Sequence, residues 1–141
     1  VGGQVVDLEC EGKEVDLETL EFIHLHKTGA LLKACVTCGA HIAGAKEDLL
    51  NALTIYAKGI GLAFQIIDDI LDVTASSEVL GKTAGKDLLS DKTTYPKLLG
   101  LDESRRKADQ LIKDAKEALT PWPNESAPLL ALADYITNRD R

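Results

Sequence analysis

An all-α fold is what this sequence predicts, and three observations carry it. From Ile60 to Val73 apolar side chains recur at three- and four-residue steps, as Ile60, Ala63, Phe64, Ile67 and Leu71, which is the period of a helix. No stretch alternates apolar and polar residues between hairpin turns, as strands would. Gly and Pro gather in a few places and leave long uninterrupted segments between them.

With 141 residues, 45% of them hydrophobic and 28% charged, the chain has the size and composition of one folded domain with its own core. A net charge of -7 argues against a generally basic, nucleic-acid-binding surface. Lys33, His41, Lys46 and Lys58 interrupt the apolar runs, so no membrane span is expected. Three cysteines, an odd number, argue for a reducing compartment rather than a disulfide scaffold. The chain holds no methionine, opens on Val1-Gly2-Gly3-Gln4 without a signal peptide and reads as starting in mid-element. It is expected to be the latter part of a longer polypeptide.

In order along the chain, Gly3 to Asp7 reads as the close of a helix, with Gln4 and Asp7 on one face. Asp16 is a plausible N-cap for a single helix running from Leu17 to about Ala43, stopped by Gly44. One stripe of it carries Leu20, Ile23, Lys27, Leu31, Ala34 and Cys38. Lys27 stands where an apolar residue belongs, so it either snorkels to solvent at the edge of the polar face or meets a buried anion. Cys35 and Cys38, with His41 beyond them, invite a zinc or redox reading. A structural zinc wants four ligands and a redox pair belongs at a helix N-terminus, so small buried hydrophobes are the better account. His24 and His26 read as core or surface histidines.

Lys46 to Val73 is the next predicted helix. Gly59 and Gly61 inside it cost helix stability and imply a close helix contact or room for a ligand. Ser76 to Thr94 reads as a polar connector carrying Lys82, Lys86 and Lys92. Gly81-Lys82-Thr83 fails as a P-loop because Ser76 replaces the earlier glycine and no strand precedes it. Its lysines either reach anions held at the preceding aspartates or form a solvated charged loop. Tyr95-Pro96 opens a short helical turn behind Thr94. Glu103 to Leu119 is amphipathic through Ala108, Leu111, Ile112 and Ala115, until Pro121-Trp122-Pro123 breaks it. Pro128 to Thr137 makes a last short helix through Leu129, Leu132, Ala133 and Ile136.

The chemistry concentrates in Phe64-Gln65-Ile66-Ile67-Asp68-Asp69-Ile70-Leu71-Asp72, which sets three carboxylates in an apolar helix. Asp68 and Asp72 stand one turn apart, Asp69 three residues from Asp72, and Gln65 a turn before both Asp68 and Asp69, so the three carboxylates are expected to converge on one edge. Crowded carboxylates need counter-charge, and either Lys and Arg from elsewhere or a hard divalent cation supplies it. A calcium loop does not fit, because Val73 stands where glycine is required and the context is helical.

Gly3-Gln4 with Asp7, Lys27-Thr28, Phe64-Gln65 with Asp68-Asp69 and Asp72, Gly81-Lys82, and Gly85-Lys86-Asp87 with Asp91 to Pro96 together resemble one family, the trans-type isoprenyl diphosphate synthases. The likeness covers essentially the whole chain and is nearest to geranylgeranyl diphosphate synthases, with farnesyl diphosphate synthases next. The resemblance implies a helical bundle of the isoprenoid synthase type, represented here by its C-terminal helices. It also implies that residues 1–141 are the C-terminal part of a single polyprenyl synthase domain, whose N-terminal half, with the first aspartate-rich motif, is absent.

By the same resemblance, the complete protein is a Mg²⁺-dependent prenyltransferase that condenses isopentenyl diphosphate with an allylic diphosphate, and the segment alone is inactive. Asp68, Asp69 and Asp72 match the second metal motif, directly or through waters. Lys27, Lys82 and Lys92 match the lysines that grip the allylic diphosphate, with Thr28 and Gln65 as hydrogen-bonding neighbours. Lys27 and Asp68 are the catalytic pair, Lys86 fits less securely, and Gln4, Asp7 and Phe64 line the cavity. A homodimer is implied, in the cytoplasm, or in a plastid if a transit peptide lies upstream. The alternatives are a farnesyl diphosphate synthase, or a non-catalytic or truncated subunit that pairs with an active partner.

Overall fold

The computed structural model describes residues 1–80 and 93–137, with the side chains of 75–80 and 137 left aside. All regular elements among the described residues are helical: α1 Gly2–Glu9, α2 Leu17–His24, a π turn Leu25–Gly29, α3 Ala30–Ile42, α4 Glu47–Leu80, α5 Tyr95–Leu99, α6 Leu101–Ala118 and α7 Ala127–Thr137. The all-α expectation holds. Lys82, Lys86 and Lys92 lie outside the described residues.

Local signals set most boundaries. Asp16 caps α2 by accepting the Thr19 amide at 2.9 Å. At the end of α3, Gly44 takes φ +72° while its N–H donates to His41 O and that of Ala45 to Ala40 O, a Schellman closure that needs a residue at ease in the left-handed region. α4 is longer than its apolar pattern, reaching Leu80, because neither glycine nor proline stands between Val73 and Gly81. Thr94 precedes α5 as expected but makes no side-chain capping bond.

α4 is the spine, 34 residues long and so about 50 Å. Tyr56, Ala57, Ile60 and Ala63 meet Ile112 and Ala115 of α6, Leu119 just beyond its end, Ala40 of α3 and Ala133 and Ile136 of α7 in one core cluster. Further along, Leu62, Ile66 and Ile70 join Leu20 of α2, Tyr95 of α5 and Ala108 of α6 in a second. The stretch Glu47–Thr74 is long and apolar enough to cross a membrane by length and composition alone, which corrects only the expectation that Lys58 would keep the apolar run too short. About half of it is buried, against these partners, as the core helix of a packed bundle is. Gly59 and Gly61 mark close contacts: a Cβ at Gly59 would stand 3.0 Å from Leu111 O, and one at Gly61 3.0 Å from the Gly29 Cα.

The helix expected to run unbroken from Leu17 is interrupted by the π turn. A π turn holds more residues than an α turn, so the stripe begun by Leu20 and Ile23 moves on by a residue or two. Leu31 is therefore 66% exposed, and Ala34 and Cys38 are exposed, while Leu32, Val36 and Ala40 turn inward. Cys35 and Cys38 are corrected from buried hydrophobes to exposed thiols. Leu132 of α7, expected on its buried face, is half exposed.

Candidate active site

The π turn carries Lys27 and Thr28 and is pressed between α1 and α4. Gly3 of α1 lies so close that a Cβ there would collide with the backbone of His26 and Lys27, and Gly29 faces Gly61 across the other side. Backbone contact from two helices holds this turn, and π turns recur at functional positions because they re-aim side chains. Lys27 Nζ donates to Asp7 Oδ2 of α1 at 2.6 Å. The Lys27 side chain is 33% exposed and that of Asp7 13%. Lys27 thus meets an anion while part of its side chain stays in solvent. Gln4 is exposed on α1.

From Thr28 a polar relay crosses to α4. Its hydroxyl donates to Gln65 Oε1 at 3.3 Å, and Gln65 Nε2 donates to Asp68 Oδ2 at 3.4 Å. Thr28, Gln65, Asp68 and the neighbouring Phe64 are all half-buried. Asp72 follows one turn on and is exposed. The sequence-predicted Lys27, Thr28, Gln65, Asp68 and Asp7 are thereby drawn into one region.

Asp69 departs from the expected convergence. Its Oδ2 accepts the Tyr95 backbone N–H at 2.9 Å and lies 3.3 Å from His24 Nε2, which donates to it. Among the described residues no group of three His, Cys, Asp or Glu side chains draws together tightly enough to hold an ion. The reason is angular: consecutive residues on a helix diverge by about 100°, so Asp68 and Asp72 share an edge that Asp69 does not. That edge carries two carboxylates a turn apart, Asp68 half-buried and Asp72 exposed. This suits a hard cation that takes one or two carboxylates and fills its remaining positions with water and phosphate oxygens.

Behind Asp69 lies a network the sequence did not announce. The His24 ring stacks on Tyr95 at 5.7 Å between centroids, and Lys107 of α6 sits 5.6 Å over the Tyr95 ring while pairing with Glu21 of α2. Burial, and then the nearby Glu21 charge, push the Tyr95 phenol well above its ordinary range and keep it protonated. The one local signal was His24 standing three residues before Lys27 on the same helical side.

With this geometry in place, similarity to known proteins is decisive. The family model described as polyprenyl synthetase matches residues 1–121. The chain belongs to the polyprenyl synthetase family. This polyprenyl synthetase chain is 57% identical over 139 residues to a dimethylallyltranstransferase of Fischerella ambigua, covering 98% of the chain and 40% of that relative. It is 56% identical over 142 residues to a chloroplastic geranylgeranyl pyrophosphate synthase of Catharanthus roseus, covering 99% and 40%. It superposes on the geranyltransferase of Helicobacter pylori complexed with magnesium and isoprenyl diphosphate with a TM-score of 0.70, at 34% identity, covering 96% of the chain and 45% of that structure. The polyprenyl synthetase chain thus spans about two-fifths of the length of the curated relatives it matches.

Proposed function

We propose that this chain carries the allylic-diphosphate side of a trans-prenyltransferase that joins isopentenyl diphosphate to an allylic diphosphate, with geranylgeranyl diphosphate as product. The observation that carries the reading is the Lys27, Thr28, Gln65 and Asp68 assembly beside a carboxylate edge. The names of the relatives support the choice of product, and the chloroplast relative supports a plastid setting beside the cytoplasmic one. Residues 1–141 are read as the C-terminal portion of one prenyltransferase domain that works as a homodimer.

Asp68 and Asp72 would hold Mg²⁺, which supplies charge neutralisation at the diphosphate oxygens as the allylic bond breaks. Lys27 would exchange its Asp7 partner for a phosphate oxygen and set a fixed cation beside the leaving group. Thr28 donates its hydroxyl, and Gln65 orients the Asp68 carboxylate by a hydrogen bond from its amide. Lys82 and Lys92 are read as further diphosphate ligands. Phe64 lines the apolar wall of the cavity, with Gln4 and Asp7 at its polar rim.

The test is calorimetric titration of the chain with geranyl diphosphate, with and without Mg²⁺, followed by an isopentenyl diphosphate incorporation assay on the complete protein. Mg²⁺-dependent binding that Asp68→Ala weakens is expected. Binding that ignores both Mg²⁺ and Asp68 would overturn the reading.

A further inference from the structure

Asp69 sits in the middle of the acidic motif, yet its carboxylate is engaged away from the edge formed by Asp68 and Asp72. Oδ2 alone takes two donors, the Tyr95 amide at 2.9 Å and His24 Nε2 at 3.3 Å. The Asp69 side chain is only 15% exposed. Tyr95 is the first residue of α5, so its N–H has no acceptor within its own helix, and Thr94 provides no side-chain cap. Asp69 supplies that missing acceptor from another helix. The His24 and Tyr95 rings then stack, and Lys107 over Tyr95 and against Glu21 extends the contact to α6 and back to α2.

We propose that Asp69 is a positioning residue and not a metal ligand: its carboxylate clamps α2 and the start of α5 to α4, leaving Asp68 and Asp72 as the motif's ligands. Turning Asp69 toward an ion on the Asp68 edge would strip the acceptor from two donors that are largely shielded from water, and unmet buried donors are strongly disfavoured. The clamp also fixes His24 one turn before Lys27, so it sets the orientation of the helix from which the π turn departs. The ligand half of this proposal rests on the metal reading given above. The clamp half does not.

Asparagine separates the two roles, because its side-chain oxygen still accepts from Tyr95 and His24 but makes a poor ligand for Mg²⁺. The experiment compares the unmodified chain with Asp69→Asn, Asp69→Ala, Asp68→Asn and His24→Gln. It reads thermal unfolding, the Tyr95 amide and His24 Nε2 resonances, and Mn²⁺ binding in the presence of inorganic pyrophosphate. Asp69→Ala is expected to lower Tm and shift the Tyr95 amide upfield, and Asp69→Asn to restore both. Asp69→Asn should hold Mn²⁺ within about twofold of the unmodified chain, whereas Asp68→Asn loses about tenfold or more. Should Asp69→Ala not fold, Asp69→Asn and His24→Gln carry the comparison. Asp69→Asn losing Mn²⁺ as badly as Asp68→Asn, with the Tyr95 amide unmoved, overturns the proposal. So does Asp69→Ala with unchanged Tm and unchanged Tyr95 amide. If Mn²⁺ with pyrophosphate does not bind at all, the metal reading fails by itself, and Tm with the two resonances still decides the clamp.

Discussion

Lys27 and Asp7 are 20 residues apart and joined by a 2.6 Å contact at the rim of the site. Pairs with this much solvent access contribute between nothing and about 1 kcal/mol to stability. Lys27→Ala is therefore expected to change the unfolding free energy by less than about 1 kcal/mol in denaturant titrations, while lowering geranyl diphosphate affinity about tenfold, a loss of about 1.4 kcal/mol. A large stability loss with unchanged affinity would assign the lysine to the fold instead. Tyr56 offers the opposite case, a group that serves only the fold. Its hydroxyl donates to Leu129 O at 2.7 Å, and burial pushes its pKa from 10.0 to about 12. The folded chain thus keeps a proton that the unfolded chain releases above 10. The Tyr56 contribution is whole below that value and is lost as pH rises toward about 12. Urea midpoints should fall less steeply for Tyr56→Phe than for the unmodified chain as pH rises from 10.0 toward about 12.

At the scale of elements, the π turn matters most, because it is where α1, α2, α3 and α4 meet and where Lys27 departs. Gly61 touches Gly29 there, so Gly61→Ala pushes α4 off the turn. Overpacking of this kind costs about 1–3 kcal/mol, and here it should also weaken geranyl diphosphate binding, since Lys27 and Thr28 ride on the displaced backbone. Gly44→Ala provides the contrast. It strains a left-handed φ of +72° with open space around it, for about 1 kcal/mol, and should leave ligand affinity unchanged. Differential scanning calorimetry and ligand titration on both variants separate strain at the site from strain elsewhere. Helix termini at Asp16, Gly44 and Pro96 were legible in the sequence because capping and φ restriction act within a few residues. The π turn was not, since nothing in Leu25 to Gly29 forbids an α turn and the pressure from Gly3 and Gly61 comes from elsewhere in the chain. That single insertion is why Cys35 and Cys38 face outward.

For the whole molecule, a net charge of -7 opposes the approach of a diphosphate. On the function proposed above, Lys27, Lys82 and Lys92 together with cations at the Asp68 and Asp72 edge would offset it. Removing Mg²⁺ with EDTA is expected to abolish measurable geranyl diphosphate binding while leaving far-UV circular dichroism unchanged, because both core clusters are built from packed apolar side chains. Loss of helicity on chelation would make the metal a structural one. Periodicity and caps, each a matter of neighbours within a turn or two, determined from the sequence alone that this chain is helical, and the Phe64 to Asp72 motif determined which segment bears its acidic cluster, while the family resemblance rested on several motifs in order from Gly3 to Pro96. Only the tertiary structure decided that Lys27 pairs with Asp7, that the helix after Ile23 shifts its buried face, and that Asp69 turns from its neighbours to reach Tyr95, 26 residues away. Those outcomes depend on which backbones press together and which buried donors lack an acceptor, and these are properties of packing between distant segments.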